Sequence, residues 1–314
     1  MKRTVVILAL LLFSAALSAQ KMTFVAHWIP QAQFAGYYVA LQKGFYAGEG
    51  LDVDINHVSS TSSKTSLDIL TAGGADICSM QLIQALAARS GGVPIVNVLQ
   101  TSQNSGLMCV SHEPLPRLAD ISGRRVGRWK SGFSEIADMF CNDYGVEVEW
   151  VPFINSINLF VSGAVDATLC YSYSEYLQLV FATGGIPDGN AVRFSQLGYN
   201  YPEDALFVTE EFYKAHPTML DKFLRASRKG WDYARENRDE ALDIVVEVMK
   251  QNGIACNRTL QRMMLDEVLA LQVNATSRKA DWSRIDEDLF NSLNDSLIGL
   301  GLMDAPVNYK DFIR

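Results

Sequence analysis

Residues 27–53 read HWIPQAQFAGYYVALQKGFYAGEGLDV. The apolar run MTFVAHW leads into them and reads as a strand. Phe34, Tyr37, Tyr38, Leu41 and Phe45 then recur at helical spacing, which predicts a helix over 34–47. Gly48 and Gly50 end it. LDVDINHV follows and alternates like a strand. Strand, helix and strand in that order form the repeating unit of a parallel α/β sheet. Trp28, Phe34, Tyr37 and Tyr38 crowd the handover from strand to helix, where large aromatics serve either a core or a ligand.

The same alternation runs on. TSLDILTAGG reads as a helix stopped by two glycines, ADICSM as a strand, QLIQALAARSGG as a helix with the same stop, and VPIVNVLQ as a strand. A second block repeats it: RRVGRW, EVEWVPF and DATLCYS read as strands, and SEIADMFCNDYG, SINLFVSG and SEYLQLVFATGG as helices. From Glu210 to about Gln251 the chain is nearly all helix, with Pro217 at a first helical position, where its missing N–H costs nothing. Leu220, Phe223, Leu224, Ser227 and Trp231 form one inner face there; Ala241, Ile244, Val245 and Val248 form the next. Two further helices are predicted around 257–272 and 286–299.

Two strand-like runs, GLMCVSH (106–112) and DALFVT (204–209), flank the second block. Taken as connections between lobes, they insert the second lobe into the first. The expected division is 20–108 plus 206–314 for one lobe and 109–205 for the other, both doubly wound, with a helical C-terminal segment. A two-strand hinge between α/β lobes suits closure on a small ligand.

Residues 1–19 stand apart. Met1-Lys2-Arg3 is basic, Thr4 to Leu17 is almost wholly apolar, and small residues follow, the pattern of a cleavable secretory signal. The run is shorter than the roughly 20 residues of a spanning helix. The cleavage region carries no Cys, so a lipoprotein is not expected. Without this segment the chain holds 25 basic and 35 acidic residues, a net charge near −10. No basic cluster offers a face to nucleic acid. Cys78, Cys109, Cys141, Cys170 and Cys256 form no CxxC pair and have no metal-ligand spacing. Four of them sit in apolar runs, so no disulfide and no metal are expected.

In open α/β sheets the ligand lies outside the carboxyl ends of the strands. Those ends place Trp28 and Gln31, Ser59 to Ser63, Ser79 and Gln81, Trp129, and Tyr171 to Glu175 toward a cleft, with Glu203 and Asp204 before the return strand. SSTSS caps a helix or offers hydroxyls to an anion. Flat aromatic faces plus one carboxylate, Glu175, suit a flat nitrogen-rich heterocycle that stacks and donates amine hydrogens. Catalysis finds little support: none of His27, His57, His112 and His216 lies in a nucleophile motif, and GxGxxG and the P-loop are absent.

WIPQAQFAGYYVALQKGFYAGEGLDV, LTAGGADICSM, RRVGRW, SGAVDATLCYSYSEY, YPEDALFVTEEF and VNYKDFI together resemble the NMT1/THI5-like family of periplasmic binding proteins, of the thiamine-pyrimidine receptor type. The resemblance covers nearly the whole chain after residue 19. It implies the two-lobed type 2 periplasmic binding fold and a periplasmic, monomeric receptor without cofactor. Such a receptor captures an aminopyrimidine-like solute and delivers it to an ABC permease of the inner membrane. It places Trp28 as a cleft tryptophan, Trp129 as a cleft aromatic, and Glu175 as the acid that meets the pyrimidine amine. Of Tyr37 and Tyr38, in GYYVA, one is expected in the core and one near the cleft. The expected ligand set is therefore Trp28, Gln31, Tyr37, Ser79, Gln81, Trp129, Tyr171, Tyr173, Glu175 and Asp204.

Two departures bear on the ligand. His27 stands where the family commonly has Asn or Asp, and Ser174 replaces the Asn of a tyrosine-asparagine-glutamate motif. Receptors for riboflavin, sulfonates and other small solutes share the family, so those ligands stay open. A fungal pyrimidine synthase of the family holds pyridoxal phosphate on a lysine and consumes its own histidine. Those positions fall on Met80 and Gln84 here, and its cysteine-rich iron motif is replaced by YNYPEDALFV. Neither a thioether nor an amide does that chemistry, so an exported enzyme is the weaker alternative.

Overall fold

A computed structural model describes residues 19–314 except 60, 131, 155 and 274–284. The secretory-signal expectation for 1–19 lies, but for Ala19, outside the described residues. Ten strands run in chain order: β1 (Gln20–Ala26), β2 (Leu51–His57), β3 (Ile77–Gln81), β4 (Ile95–Gln100), β5 (Leu107–Ser111), β6 (Arg125–Trp129), β7 (Glu149–Phe153), β8 (Ala167–Tyr171), β9 (Ala191–Arg193) and β10 (Asp204–Thr209). They form two five-stranded sheets, ordered β2-β1-β3-β10-β4 and β7-β6-β8-β5-β9. The inner strands β3, β5 and β8, and β4 at an edge, are buried along their whole length, which is why they read as continuous apolar runs. β2 lies at an edge and alternates.

Each sheet is mixed. β10 runs antiparallel to β3 and β4, and β5 antiparallel to β8 and β9. Parallel neighbours need a crossover on their own sheet. β5 and β10 instead arrive from the opposite lobe, so they are free to run the other way. The runs expected as connections are thus strands of the sheets themselves. Residues 108 and 205, the expected lobe limits, fall inside β5 and β10. The chain crosses between lobes at 101–106 and returns at 194–203.

The first lobe carries α1 (Ala35–Gln42), α2 (Phe45–Gly48), α3 (Ser66–Thr71) and α4 (Leu82–Ser90). The second carries α5 (Glu135–Tyr144), α6 (Asn158–Val161) and α7 (Glu175–Thr183). After β10 come α8 (Glu210–Ala215), α9 (Pro217–Glu236), α10 (Arg238–Gln251), α11 (Arg258–Leu271), α12 (Glu287–Gly299) and α13 (Tyr309–Phe312). The single helix predicted over 34–47 is two. Gly44 takes φ 69°, the left-handed stop available to glycine, and its N–H donates to the Leu41 carbonyl. The helix predicted for SINLFVSG is the single turn α6.

α9 buries the predicted face, Leu220, Phe223, Leu224, Ser227 and Trp231. Burial of one such apolar side chain stabilises by about 1.5–3 kcal/mol. α9 lies against α1 because both helices present glycine at the contact. A Cβ on Gly36 would sit 2.1 Å from Trp231, and one on Gly230 would sit 2.1 Å from the Gly36 carbonyl oxygen. No helix among the described residues is long and apolar enough to cross a membrane.

The two crossings are tied to each other. The Glu203 carboxylate accepts from Ser105 Oγ at 2.7 Å and from the Gly106 N–H at 2.9 Å. The Glu203 N–H donates to Ser102 Oγ at 2.8 Å. Ser105 N–H donates to Asn200 Oδ1 at 2.9 Å. The end of α11 joins them: the Leu271 carbonyl accepts from the N–H groups of Gln103 and Asn104. On the second lobe, Arg193 reaches Glu267 of α11 at 2.8 Å.

Candidate functional site

Both sheets reverse their strand order at their first strand. β1 stands between β2 and β3, and β6 between β7 and β8. The carboxyl ends beside such a switch point are where an α/β sheet offers a crevice. Here the two switch points face each other. The first lobe contributes His27, Trp28, Gln31, Gln33 and Gln81; the second contributes Trp129, Phe133, Tyr171, Tyr173, Ser174 and Glu175. The inner crevice they enclose is small, about 30 Å³. It adjoins an outer cavity of about 790 Å³ whose walls include Ser59, residues 61–65, Lys130, Gln84 and Glu135.

Aromatic faces dominate the inner wall. Trp129 and Tyr171 have ring centres 5.0 Å apart, and Tyr171 stacks on Tyr173 at 5.3 Å and 19°. Hydrogen bonds cross from lobe to lobe between them. Gln81 Nε2 donates to the Tyr171 hydroxyl at 2.6 Å, and Gln33 Nε2 lies 3.4 Å from the Tyr173 hydroxyl. The Tyr171 hydroxyl donates to the Phe133 carbonyl at 3.3 Å. Burial drives the phenols of Tyr171 and Tyr173 well above the ordinary range, so both are neutral donors and acceptors.

Acids without cations make the other half of the chemistry. Glu175 opens α7 and is buried, with 7% exposure. Its carboxyl accepts from the Tyr171 N–H at 3.2 Å and from the Trp129 side chain. Burial raises its pKa against those bonds. Asp204 accepts from Gln33 Nε2 at 2.7 Å through Oδ2, while its buried Oδ1 has no hydrogen-bond partner. Glu203 lies behind, pushed up to about 8 by burial, with Ser105 opposing and Asp204 adding. Among the described residues, the inner wall holds no lysine or arginine. A carboxyl in such surroundings is hungry for a hydrogen-bond donor.

His27 links this wall to the strands beneath. Its N–H donates to Ser79 Oγ at 3.0 Å and its Nδ1 lies 2.8 Å from the same oxygen. The Ser79 hydroxyl therefore donates to Nδ1, which leaves the Nε2 hydrogen facing Asp204 at 3.7 Å. Burial lowers the His27 pKa, against the pull of Asp204, so the ring is neutral. Ser79, His27 and Asp204 are in the order of a hydrolytic triad. Ser79 lines neither the inner crevice nor the outer cavity, however, and its oxygen is already held twice.

Of the expected ligand set, Trp28, Gln31, Gln81, Trp129, Tyr171, Tyr173 and Glu175 stand on the crevice wall. Asp204 stands one layer back, behind Gln33 and His27. Ser79 supports His27 from below. Tyr37 does not reach the crevice: it packs on Phe24 at 4.8 Å and on Trp231 at 5.5 Å, with its hydroxyl 3.1 Å from Thr101 Oγ1. Tyr38 is equally buried, its hydroxyl 3.0 Å from His57 Nε2, so both tyrosines of GYYVA belong to the core. The SSTSS run leads into a helix cap and lines the outer cavity. The cap is Thr65, which caps α3 in a capping box with Asp68.

Gln33 and Phe133 are crevice residues that the strand-end reading missed. Gln33 follows the first strand by a few residues more than Gln31 did, and an amide there carries no signal of its own. Phe133 follows Trp129 in the loop after β6, at φ 67°. It is the sole non-glycine residue with positive φ among the described residues. That conformation costs an aromatic residue about 1–3 kcal/mol.

The same walls bear on a pyridoxal phosphate site. Met80 and Gln84 both line the outer cavity. A thioether forms no Schiff base and an amide is no imidazole, so the residues do not fit that cofactor. No group of His, Cys, Asp and Glu among the described residues could hold a metal ion, and the described cysteines are all free.

Comparison with known proteins supplies the context. A family model described as NMT1/THI5 like matches residues 31–241. The riboflavin-binding protein RibY of Chloroflexus aurantiacus is 25% identical over 93% of this chain and 84% of its own. A formylaminopyrimidine-binding protein of Halalkalibacterium halodurans is 28% identical over 70% of this chain and 68% of its own. A 4-amino-5-hydroxymethyl-2-methylpyrimidine phosphate synthase of Saccharomyces cerevisiae is 25% identical over 69% of this chain and 68% of its own. The solved structure of the periplasmic aliphatic sulphonate binding protein SsuA from Escherichia coli superposes with a TM-score of 0.70 at 13% identity. It covers 94% of this chain and 92% of that one, a likeness of fold.

Proposed function

Because the chain belongs to the NMT1/THI5-like family, we propose that it is the solute-binding receptor of an ABC importer. Its solute in this reading is an aminopyrimidine precursor of thiamine. The observation that carries the reading is Glu175: a buried carboxyl on the wall of an aromatic crevice that carries no cation among the described residues. A flat ring with an exocyclic amine meets both demands. Its faces stack on the indoles of Trp28 and Trp129, and its amine donates to Glu175. A sulfonate would set its charge against Glu175 and the free oxygen of Asp204.

The lobes already share hydrogen bonds across the crevice, Gln81 to Tyr171 and Gln33 to Tyr173. A bound ring adds contacts that exist only when both lobes are near, and so favours closure. The closed form would dock on a permease of the inner membrane. Export to the periplasm follows in this reading from residues 1–19. In this reading the solute is carried, not converted: the Met80 thioether and the Gln84 amide lack the groups for pyridoxal chemistry, and Ser79 is bonded to His27.

A second reading is favoured by the size of the outer cavity. About 790 Å³ walled by serine and threonine hydroxyls exceeds what a single pyrimidine needs. It suits a larger heterocycle with a polyhydroxylated tail, and the relative RibY is named for riboflavin binding.

A thermal-shift panel of aminopyrimidine precursors, thiamine, riboflavin, taurine and an alkanesulfonate separates these. A solute at a hundred times its dissociation constant adds about 2.7 kcal/mol of stability, a shift of several degrees. Glu175→Gln then tests the contact. A hydrogen bond to a charged group is worth about 1.5–3 kcal/mol, so affinity for the aminopyrimidine should fall by roughly 10- to 100-fold. An unchanged affinity in the variant would remove Glu175 from the site, and with it the aminopyrimidine.

A further inference from the structure

Inner crevice and outer cavity meet at one side chain. Phe133 belongs to the wall of both. Its ring centre lies 5.9 Å from Trp28 at 81° and 6.1 Å from Trp129 at 67°. It also lies 6.4 Å from the His27 ring. Trp28 and His27 come from the first lobe; Trp129 and Phe133 come from the second. Edge-to-face packing on two indoles is how a flat ring sits in an aromatic slot. The phenyl group thus stands between the two indoles, on the wall that both lobes share. The backbone holds this arrangement at φ 67°, and the Phe133 carbonyl is fixed by the Tyr171 hydroxyl.

We infer that Phe133 is the specificity-determining residue of the crevice: its phenyl ring stands in the slot of the solute's ring, and the solute enters by displacing it toward the outer cavity. The inference rests on the crevice being the solute site, and it adds the size of the solute. The slot is cut for one six-membered ring. A phenyl group has nothing to offer Glu175, so a heterocycle of equal size keeps the contacts with the two indoles and adds the amine bond. A bare hydrocarbon ring gains nothing over the resident one. A fused tricycle is larger than the group it must replace. The outer cavity, at about 790 Å³, has room for the displaced side chain.

Two variants test it, Phe133→Ala and Phe133→Gly, the second accepting φ 67° without strain. The probes are benzene and the hydroxymethyl aminopyrimidine, read by thermal shift and calorimetry. With the slot vacated, benzene should raise the melting temperature of both variants and leave the parent protein unmoved. The aminopyrimidine should bind the variants roughly tenfold tighter, because no displacement precedes binding. If benzene moves neither variant, and the aminopyrimidine binds them more weakly than it binds the parent, Phe133 is a stacking wall; the inference falls and the receptor reading stands. If benzene stabilises the variants while the aminopyrimidine binds neither them nor the parent, the slot stands and the aminopyrimidine assignment falls.

Discussion

Replacing Glu203 with Gln should remove a large share of the protein's loss of stability as pH rises. Glu203 is 3% exposed and ties the two crossings through Ser105 and Gly106. Burial pushes its carboxyl from 4.5 up to about 8. Between those values the unfolded chain has released the proton and the folded chain still holds it. The folded state binds more protons there, so stability is greatest at low pH and is lost as pH rises through the folded pKa. At about 1.4 kcal/mol per unit, the loss from pH 5 to above pH 8 is on the order of 3–5 kcal/mol. Burial also raises Glu175 and Glu135, which add to the same slope. His27 and His57 are lowered by burial, His57 to about 4. They oppose it below pH 6.5, where stability is lost as pH falls through their folded pKa values. These groups are present in both proteins and cancel in the difference. Glu203→Gln keeps an acceptor for the Gly106 N–H but cannot titrate. Urea unfolding followed by circular dichroism from pH 5 to 9 should therefore give curves that cross: the parent at least as stable at pH 5, the variant more stable at pH 9. A difference that stays flat across the range would show that Glu203 does not hold its proton in the folded protein.

Gly36→Ala should lower the unfolding free energy by about 1–3 kcal/mol or more, because the added carbon would stand 2.1 Å from the buried Trp231 ring; a denaturation midpoint equal to the parent's would mean the two helices separate without cost. Thiol titration should find one fast cysteine in the native protein, Cys256, since Cys78, Cys109 and Cys170 are buried and Cys141 is half-buried. All five should react after unfolding, and any shortfall without reductant would reveal a disulfide.

Much of the fold was legible because its signals are periodic and repeated. The inner face of α9 was read residue by residue from a 3.6-residue spacing. The break at Gly44 was not, because the apolar spacing of Leu41 and Phe45 runs straight across it. β9 escaped notice as well: three residues pairing with β5 alone leave too short a pattern to see. The crevice was legible through topology. Once strands alternate with helices, the residues after β1, β3, β6 and β8 are committed to one side of the molecule. What sequence could not settle was depth. Tyr37 and Tyr38 occupy a helix buried nearly all round, under α9, so a polar aromatic there carries no sign of which way it faces. Phe133 lay past the reach of the strand-end rule, and its role depends on a backbone angle no spacing reveals.

The attachment of α11 changes what kind of joint this protein has. Two peptide segments alone would let the lobes both swing and wring. The Leu271 carbonyl grips the outgoing segment, and Glu267 holds Arg193 just before the returning one. A third support from α11 stiffens both crossings against wringing, and so helps keep the indoles of Trp28 and Trp129 in register.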